Sequence, residues 1–344
     1  MLSPRTRLGA LGLMAVLAAG ACSGSGATDA PDDPGATPGE TMEAVSGSVV
    51  VSGSSTVEPI TALASELFVE RVSGDVSFDV TGPGTSDGFE RFCNGETDIS
   101  DASRAISEEE IAACEEAGIE YTEILVAYDG LAVITSADND AVSCLSFADL
   151  YALLGPESQG FDTWAAANDL AAELPDGFGE LHAPYPDADL VVTAPGEESG
   201  TFDSFVEIAL EDIADEREQD ATTRPDYVAS PNDNVIIEGI TGTVTSLGWV
   251  GLAFATENAE TVKIIEVDGG EGCVAPSAET VVDGSYPIAR PLYIYVNNGR
   301  AEENSTLVEF VDYYLANLDT AGEVGYVNLS DEEMAASQAA WEGR

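Results

Sequence analysis

Three short segments rich in glycine and hydroxyl residues stand where the hydrophobic pattern changes from strand to helix. They are residues 53–56 (Gly-Ser-Ser-Thr), 82–86 (Gly-Pro-Gly-Thr-Ser) and 198–202 (Glu-Ser-Gly-Thr-Phe). The first N–H groups of a helix lack partners and the helix dipole is positive at that end, so an anion can bind there. Serine and threonine hydroxyls add donors, although the same residues are also preferred as ordinary helix caps. Three such helix starts together favour a site for a tetrahedral oxyanion, which needs donors from several directions.

An arginine close to a fourth turn adds a cation to these donors. Ser103 and Arg104 follow a short predicted strand at residues 97–100. A guanidinium group can bind an oxyanion through two parallel hydrogen bonds. Ser103 and Arg104 therefore extend the predicted oxyanion site.

The elements that would carry these turns alternate between strands and helices. The hydrophobic pattern predicts, in order, a strand at 48–52, a helix at 57–72, a strand at 75–80, a helix at 86–94 and a strand at 97–100. This order is typical of a parallel sheet covered by helices. Further strands are predicted at 131–135, 190–193, 247–253, 262–267 and 292–296, and further helices at 147–154, 201–210, 234–244, 305–318 and 331–341. Residues 161–186, rich in glycine, proline and acidic residues, are expected to lie at the surface.

The chain is strongly acidic. Its 344 residues include 64 Asp and Glu against 11 Lys and Arg, which gives a formal net charge of −53. This charge excludes ordinary nucleic-acid binding, which needs a basic face, while 44% apolar residues still predict a folded core. The acidity is typical either of a protein that works in concentrated salt or of one that binds many cations. The spread of acidic residues along the chain favours the first, so we expect the fold to loosen in dilute buffer.

The N-terminus has the features of an export signal. Arg5 and Arg7 precede an apolar run at 8–19, which is too short to span a bilayer, and small residues lead to Cys22. This arrangement is similar to a bacterial lipoprotein signal, in which residues 1–21 are removed and Cys22 is lipidated. Plain cleavage that leaves a free cysteine is the alternative. Residues 22–46 would form an acidic, disordered tether, and the lipid anchor alone would hold the protein at the outer face of the cell membrane.

Four further cysteines, Cys93, Cys114, Cys144 and Cys273, are an even number in a chain predicted to be exported. Two disulfides are expected, with three possible pairings. Proximity along the chain favours Cys93 with Cys114 and Cys144 with Cys273. Because no two of these cysteines have Cys-x-x-Cys spacing, we expect neither a zinc site nor a redox site, and no cofactor is implied.

Four stretches, taken in order, resemble a known family. They read VSGSSTVEPI at 51–60, TGPGTSDGFERFCNGETDISDASRAI at 81–106, PGEESGTFDSF at 195–205 and SPNDNVIIEGITGTVTSLGWVGLAFA at 230–255. They are similar to the phosphate-binding proteins of the PstS type, the substrate-binding components of ATP-driven phosphate importers, and the resemblance spans residues 49–296. It implies an α/β, two-lobed periplasmic-binding-protein (Venus flytrap) fold, in which each lobe is a mixed, mostly parallel sheet flanked by helices.

The resemblance also implies a set of phosphate contacts. Position by position, they are Ser55, Thr56, Thr85, Ser86, Ser103, Arg104, Ser199, Gly200, Thr201 and the backbone N–H of Val57. Some members have an arginine where this chain has Pro195-Gly196, and some have an aspartate where Ser103 aligns, so Arg104 is the one cationic contact expected. Phosphate carries a proton near neutrality and sulfate does not, so a carboxylate that accepts this proton repels sulfate. The candidates for this acceptor are Asp101 and Asp87, each of which is also explained as an acid at a helix start.

Two crossovers between the lobes would form the hinge. The chain leaves one lobe near 127–130 and returns near 286–292, which gives lobe I at 47–128 plus 286–344 and lobe II at 129–285. Phosphate would bind between the lobes and stabilise the closed form, which a membrane permease recognises. The resemblance thus implies a monomeric, non-enzymatic protein that binds inorganic phosphate outside the cytoplasm and delivers it to the permease subunits of an ABC importer.

Two other functions are weighed against phosphate binding. The first is binding of another tetrahedral oxyanion, such as sulfate. The second is a secreted serine esterase, because residues 84–88 fit the Gly-x-Ser-x-Gly pattern with Ser86 as the nucleophile. An esterase needs an imidazole to take the serine proton, and the only histidine, His182, comes far too early for the usual hydrolase order. We expect His182 to be a solvated loop residue.

Overall fold

The computed structural model describes residues 45–197 and 199–344. The predicted signal peptide, Cys22 and nearly all of the predicted tether lie outside these residues. Among the helices that are described, none is both long enough and apolar enough to cross a lipid bilayer.

Within the described ranges the backbone forms twelve strands and thirteen α-helices. The strands are β1 (Gly47–Gly53), β2 (Val76–Thr81), β3 (Ile99–Ala102), β4 (Tyr121–Ser136), β5 (Cys144–Ser146), β6 (Val191–Ala194), β7 (Val228–Ala229), β8 (Ser246–Gly251), β9 (Val262–Ile264), β10 (Glu266–Asp268), β11 (Cys273–Val274) and β12 (Ala289–Asn297). The helices are α1 (Glu58–Arg71), α2 (Thr85–Cys93), α3 (Glu108–Ala117), α4 (Phe147–Leu154), α5 (Asn168–Ala171), α6 (Gly200–Ala209), α7 (Glu211–Glu216), α8 (Asp233–Thr241), α9 (Leu252–Glu257), α10 (Ala278–Val282), α11 (Asn298–Glu303), α12 (Ser305–Ala316) and α13 (Asp331–Glu342).

Nine of the strands belong to one mixed sheet. Its order is β2-β1-β3-β12-β4-β8-β6-β7, and β9 also pairs with β4. β1 runs parallel to β2 and β3, and β6 runs parallel to β7 and β8. Between these parallel groups, β12 is antiparallel to β3 and β4, and β4 is antiparallel to β8. Three short strands form a second sheet in the order β11-β10-β5.

Two large hydrophobic cores lie on either side of the antiparallel strands β4 and β12. The first core includes Val49, Phe68 and Phe310, and the second core includes Leu150, Phe205 and Trp249. β4 passes from one to the other, because Ile124 belongs to the first core and Leu131 to the second. β12 does the same in the opposite direction, with Ile288 just before it in the second core and Leu292 in the first.

Most of the predicted elements are present, and the exceptions have physical causes. β4 has 16 residues, of which only 131–135 were predicted, because Glu123 and Asp129 interrupt its apolar run. The strand predicted at 262–267 is in fact two strands, β9 and β10, which enter different sheets. α3 was not predicted, because its only buried residue is Cys114 and the rest of its sequence is largely acidic.

The prediction that residues 161–186 lie at the surface is wrong in part. Trp164, Leu170 and Tyr185 are buried in the second core, because scattered aromatic and aliphatic residues supply core contacts that the overall composition hides. His182 is not merely solvated either. Its Nδ1 lies 2.6 Å from Asp149 Oδ2, and the other oxygen of this buried carboxylate accepts the Tyr185 hydroxyl at 2.5 Å.

Both disulfides favoured by proximity are confirmed. Cys93 at the end of α2 is bonded to Cys114 in α3, which fixes these two helices to each other. Cys144 in β5 is bonded to Cys273 in β11, and so joins the two outer strands of the small sheet. His182 lies next to the second disulfide, whose sulfurs are both committed to the bond.

Candidate functional site

A cleft of about 610 Å³ opens between the ends of the first parallel strands and helix α6. Its first wall contains six of the predicted contacts, namely Ser55, Thr56, Thr85, Ser86, Ser103 and Arg104. The opposite wall is formed mainly by α6, through Phe202, Asp203, Val206 and Glu207. The structure therefore brings together residues that are far apart in the sequence.

The turns of the first wall meet because β1, β2 and β3 are parallel neighbours, whose carboxyl ends lie at the same edge of the sheet. Backbone hydrogen bonds also join these turns to one another. Ser54 N donates to the Asp101 carbonyl at 2.8 Å, and Gly84 N donates to the Gly53 carbonyl at 2.9 Å. A Cβ at Gly53 would overlap the Asp101 carbonyl oxygen, so the close approach of these turns requires glycine there. At Gly84 the requirement is conformational, because its φ of +115° favours glycine.

The three helix starts differ in how far their N–H groups are already used. No side chain caps α1 or α2, whereas at α6 the Ser199 hydroxyl accepts from Thr201 N at 3.2 Å. The Val57 N–H, predicted as a ligand donor, donates to the Ser54 carbonyl at 3.2 Å. The start of α2 is therefore the helix end best able to receive an anion from the cleft.

Four predicted contacts form two hydrogen-bonded pairs in the first wall. The hydroxyls of Thr85 and Ser103 lie 3.0 Å apart, and Ser103 N donates to Thr85 Oγ1 at 3.2 Å. Arg104 donates to the Ser86 hydroxyl at 3.0 Å. These side chains hold one another in place around the start of α2.

Glu110, which was not predicted as a site residue, holds Arg104. Both terminal nitrogens of the Arg104 guanidinium donate to the Glu110 carboxylate at 2.8 Å. The central carbon of the same guanidinium, Cζ, lies 5.7 Å from the centre of the Phe89 ring. The hydrogen bond to Glu110 raises the pKa of Arg104. Burial opposes ionisation of Glu110, but hydrogen bonds from Arg104 and Ser107 lower its pKa overall. The pair therefore stays charged, and it fixes the guanidinium in the wall.

The predicted contacts in α6 lie behind the second wall rather than on it. A Cβ at Gly200 would lie 3.3 Å from the Ser55 carbonyl oxygen, so this glycine packs directly on the turn before α1. Ser199, Gly200 and Thr201 do not line the cleft, which instead meets the next turn of the helix. There the Ser55 hydroxyl donates to Asp203 Oδ2 at 2.9 Å. Asp203 is thus a cleft carboxylate that the sequence reasoning missed, although it lies only two residues after the Ser-Gly-Thr motif.

The two predicted proton acceptors lie in different surroundings. Asp87 lines the cleft. The Asp101 carboxylate is fully buried away from the cleft lining, where one oxygen accepts from the Thr61 hydroxyl at 3.0 Å and the other has no partner. Burial raises the pKa of Asp101 to about 8. Asp101 therefore contributes its backbone carbonyl to the turn, while its carboxyl faces α1.

A buried arginine that the sequence reasoning missed joins the two walls. Arg290 of β12 donates to Thr56 Oγ1 at 3.2 Å and to Ser204 Oγ at 2.9 Å, and it pairs with Glu207 at 2.6 Å. It stands opposite Asp129 of β4, whose pKa is raised by burial against the opposing effect of Arg290. A signal was present in the sequence, because Asp129 and Arg290 lie in the two predicted hinge segments and arginines are few in this chain.

The residues required for a serine esterase are not brought together. His182 lines a separate pocket of about 230 Å³ with Trp164 and Tyr185, and does not line the cleft that contains Ser86. The Ser86 hydroxyl accepts a hydrogen bond from Arg104 instead of donating one to an imidazole. The chain's single histidine therefore does not serve Ser86 as a base in this arrangement.

Comparison with known proteins gives consistent similarities over most of the chain. A family model described as a PBP superfamily domain matches residues 38–317. Protein SphX of Synechocystis is 37% identical over 301 residues, which cover 86% of this chain and 81% of the relative. Phosphate-binding protein PstS of Staphylococcus epidermidis is 30% identical over 312 residues, covering 90% and 84%. The crystal structure of a possible phosphate binding protein from Planctomyces limnophilus superposes with a TM-score of 0.73 at 29% identity, covering 87% of this chain and 99% of that one.

Proposed function

Because this chain belongs to the PBP superfamily, and within it to the family of SphX and the PstS phosphate-binding proteins, we propose that it binds inorganic phosphate in the cleft. The α/β periplasmic-binding-protein fold and the family inferred from the sequence are confirmed by the same similarities. Bound phosphate would be delivered to the permease subunits of an ABC importer. The Staphylococcus epidermidis relative is a phosphate-binding protein and the Planctomyces limnophilus structure is that of a possible one, and we propose that this chain is likewise a binding protein rather than an enzyme.

The observation that carries this proposal is the convergence of donors on one cleft. Hydroxyls at three neighbouring strand ends, the open start of α2 and the Arg104 guanidinium all border the same space. A tetrahedral oxyanion has acceptor oxygens in four directions, so it can use donors that converge from separate elements. Ser199, Gly200 and Thr201 would reach the anion only through a shift of α6 relative to α1.

We assign the two lobes as predicted, with 47–128 plus 286–344 in lobe I and 129–285 in lobe II. Two separate cores and two crossing strands, β4 and β12, support this division. The cleft lies between residues of the two lobes. A ligand that contacts both sides stabilises their closed arrangement, and this is the form that a permease would recognise.

Four carboxylates line the cleft, those of Asp87, Asp203, Glu207 and Glu211. Glu207 is paired with Arg290 and Glu211 lies beyond α6 in α7, so we consider Asp87 and Asp203 as acceptors of the phosphate proton. Asp203 is the stronger candidate, because Ser55 already holds its carboxylate at the boundary between the two walls. A carboxylate that accepts the P–OH proton repels sulfate, which has no proton to donate at neutral pH. Asp101 supports the turn from behind rather than facing the ligand.

The location of the protein outside the cytoplasm follows from the proposed role, and lipidation of Cys22 would hold it at the outer face of the cell membrane. The acidic tether would then separate the anchor from the folded part. We propose that the folded part acts as a monomer, because one chain supplies both walls of the cleft.

Calorimetric titration tests the proposed ligand. The protein lacking residues 1–22, stripped of bound anions, is titrated with phosphate and then with sulfate in about 1 M sodium chloride, which shortens the range of surface charge to about 3 Å. We expect saturable binding of phosphate at one site and no response to sulfate. Binding of sulfate instead of phosphate would mean that the cleft binds a different oxyanion from the one proposed. Binding of neither anion would refute the proposal. An Asp203→Asn variant that binds sulfate would identify Asp203 as the discriminating carboxylate.

A further inference from the structure

Arg290 lies at the point where both crossing strands pass between the two cores. β12 and β4 pair in antiparallel register there, and this register sets Arg290 opposite Asp129. Both side chains are largely buried, with exposed fractions of 10% for Arg290 and 6% for Asp129. A buried guanidinium is costly unless several hydrogen bonds and an opposite charge compensate it. The partners of Arg290 therefore reveal what holds it there.

Those partners come from both sides of the cleft. One terminal nitrogen of Arg290 donates to Thr56, in the turn before α1, and to Ser204 in α6. The other pairs with Glu207, one turn further along α6. A single side chain on a crossing strand thus connects the turn before α1 in the first wall with the middle of α6 in the opposite wall.

The protons in this group can be assigned from the acceptors. Asp129 has only acceptor oxygens when ionised, and Ser204 Oγ lies 2.6 Å from it, so the Ser204 hydroxyl donates to Asp129. The Arg290 guanidinium has donors only, so Ser204 and Thr56 both accept from it. The proton of Thr56 is then left to point to Ser204, 3.2 Å away, or into the cleft.

We infer that Arg290 is a positioning residue that latches the two walls together and sets the Thr56 hydroxyl as a hydrogen-bond donor toward the bound anion. This inference rests on the proposed phosphate binding for its ligand. Arg290 need not touch the anion itself, since it acts on Thr56, a residue that lines the cleft. Its closest counter-ion, Glu207, lies in the opposite wall.

The test compares Arg290→Met with Arg224→Met in the full-length chain in mild detergent. Arg224 is a matched control, because it is also buried and paired through two hydrogen bonds with a carboxylate, that of Asp226. Unlike Thr56 and Glu207, the side-chain partners of Arg224, Asp226 and the Phe161 carbonyl, do not line the cleft. Phosphate titration in about 1 M sodium chloride should show at least tenfold weaker binding for Arg290→Met and a change of less than twofold for Arg224→Met. Arg290→Lys, which keeps the charge but not the fork, should fall between wild type and Arg290→Met, and it serves if the methionine variant does not fold.

A double-mutant cycle separates positioning from simple loss of stability. If Arg290 acts through Thr56, adding Arg290→Met to Thr56→Val should weaken phosphate binding by less than a further twofold. In a Thr56→Ser background, which keeps the hydroxyl, Arg290→Met should retain its full effect. The inference would be overturned if the losses of phosphate affinity caused by Arg290→Met and Thr56→Val multiplied in the double variant. It would also be overturned if Arg290→Met bound phosphate within twofold of wild type.

Amide hydrogen exchange tests the proposed connection between the two walls in the absence of phosphate. Loss of the latch should speed exchange of the backbone amides at 54–58 and 203–207 at least fivefold in Arg290→Met, with little change elsewhere. Unchanged exchange, or a uniform increase like that of Arg224→Met, would overturn the latch. If the wild-type chain itself binds no phosphate, the proposed function fails, and this exchange pattern still tells whether Arg290 joins the two walls.

Discussion

Replacing Asp101 by asparagine should remove a pH dependence of stability that this buried carboxyl imposes on the fold. One of its oxygens accepts from Thr61, and the other is buried without a partner. Burial raises its pKa to about 8 from an ordinary value of 3.8, so the folded protein keeps this carboxyl protonated where the unfolded chain has lost the proton. Its contribution to stability is therefore complete below about pH 4 and is lost progressively as the pH rises through about 8.

The size of the effect follows from the same pKa values. The interval from 3.8 to about 8 spans roughly four powers of ten in proton affinity, and at about 1.36 kcal/mol for each this is on the order of 5 kcal/mol. Asparagine has the same shape, keeps an oxygen for Thr61 and carries no charge at any pH. The variant should therefore gain stability over wild type by up to about 1.4 kcal/mol for each unit of pH between about 5 and 8.

The assay is urea unfolding of both proteins at about pH 5, 6, 7 and 8, in about 1 M sodium chloride, with free energies extrapolated to water. An Asp220→Asn variant controls for the loss of one negative charge at the surface. A difference between Asp101→Asn and wild type that is the same at every pH would show that Asp101 is not protonated in the fold. A difference that grows toward low pH would refute the assigned sign.

Two further predictions concern the charges of the protein. Arg104→Ala should weaken phosphate binding at least tenfold, because one or two charge-assisted hydrogen bonds of about 1.5–3 kcal/mol each are lost, and titration with an unchanged Kd would remove Arg104 from the site. The melting temperature should rise as sodium chloride increases from about 0.1 to 2 M, because salt screens the self-repulsion of a chain with a net charge of −53. A melting temperature that is flat or falls over this range would mean that the acidic residues do not oppose folding.

The sequence by itself determined those parts of the site that depend on local backbone chemistry. Gly53 and Gly84 mark turns that only glycine permits, and the hydroxyl residues beside them mark helix starts, so the first wall of the cleft could be predicted before any contact was known. The alternation of strands and helices likewise indicated parallel strands that end at one edge. Proximity of the cysteines along the chain was also enough to predict the disulfide pairing, because both disulfides join the cysteines that proximity favoured.

Only the tertiary structure decided which charges the fold can bury and which residues face the ligand. Asp129 interrupts the apolar pattern of β4, and its charge becomes acceptable only opposite Arg290, which lies 161 positions further along the chain as the register pairs them. All four residues of β3 are buried, so this strand has no alternation of buried and exposed side chains. The sequence pattern therefore could not indicate that the Asp101 carboxyl faces α1 rather than the cleft. Arg290 reaches Thr56 across 234 positions, and no local pattern encodes a contact of that kind, because its energy depends on partners that folding alone brings within hydrogen-bond distance.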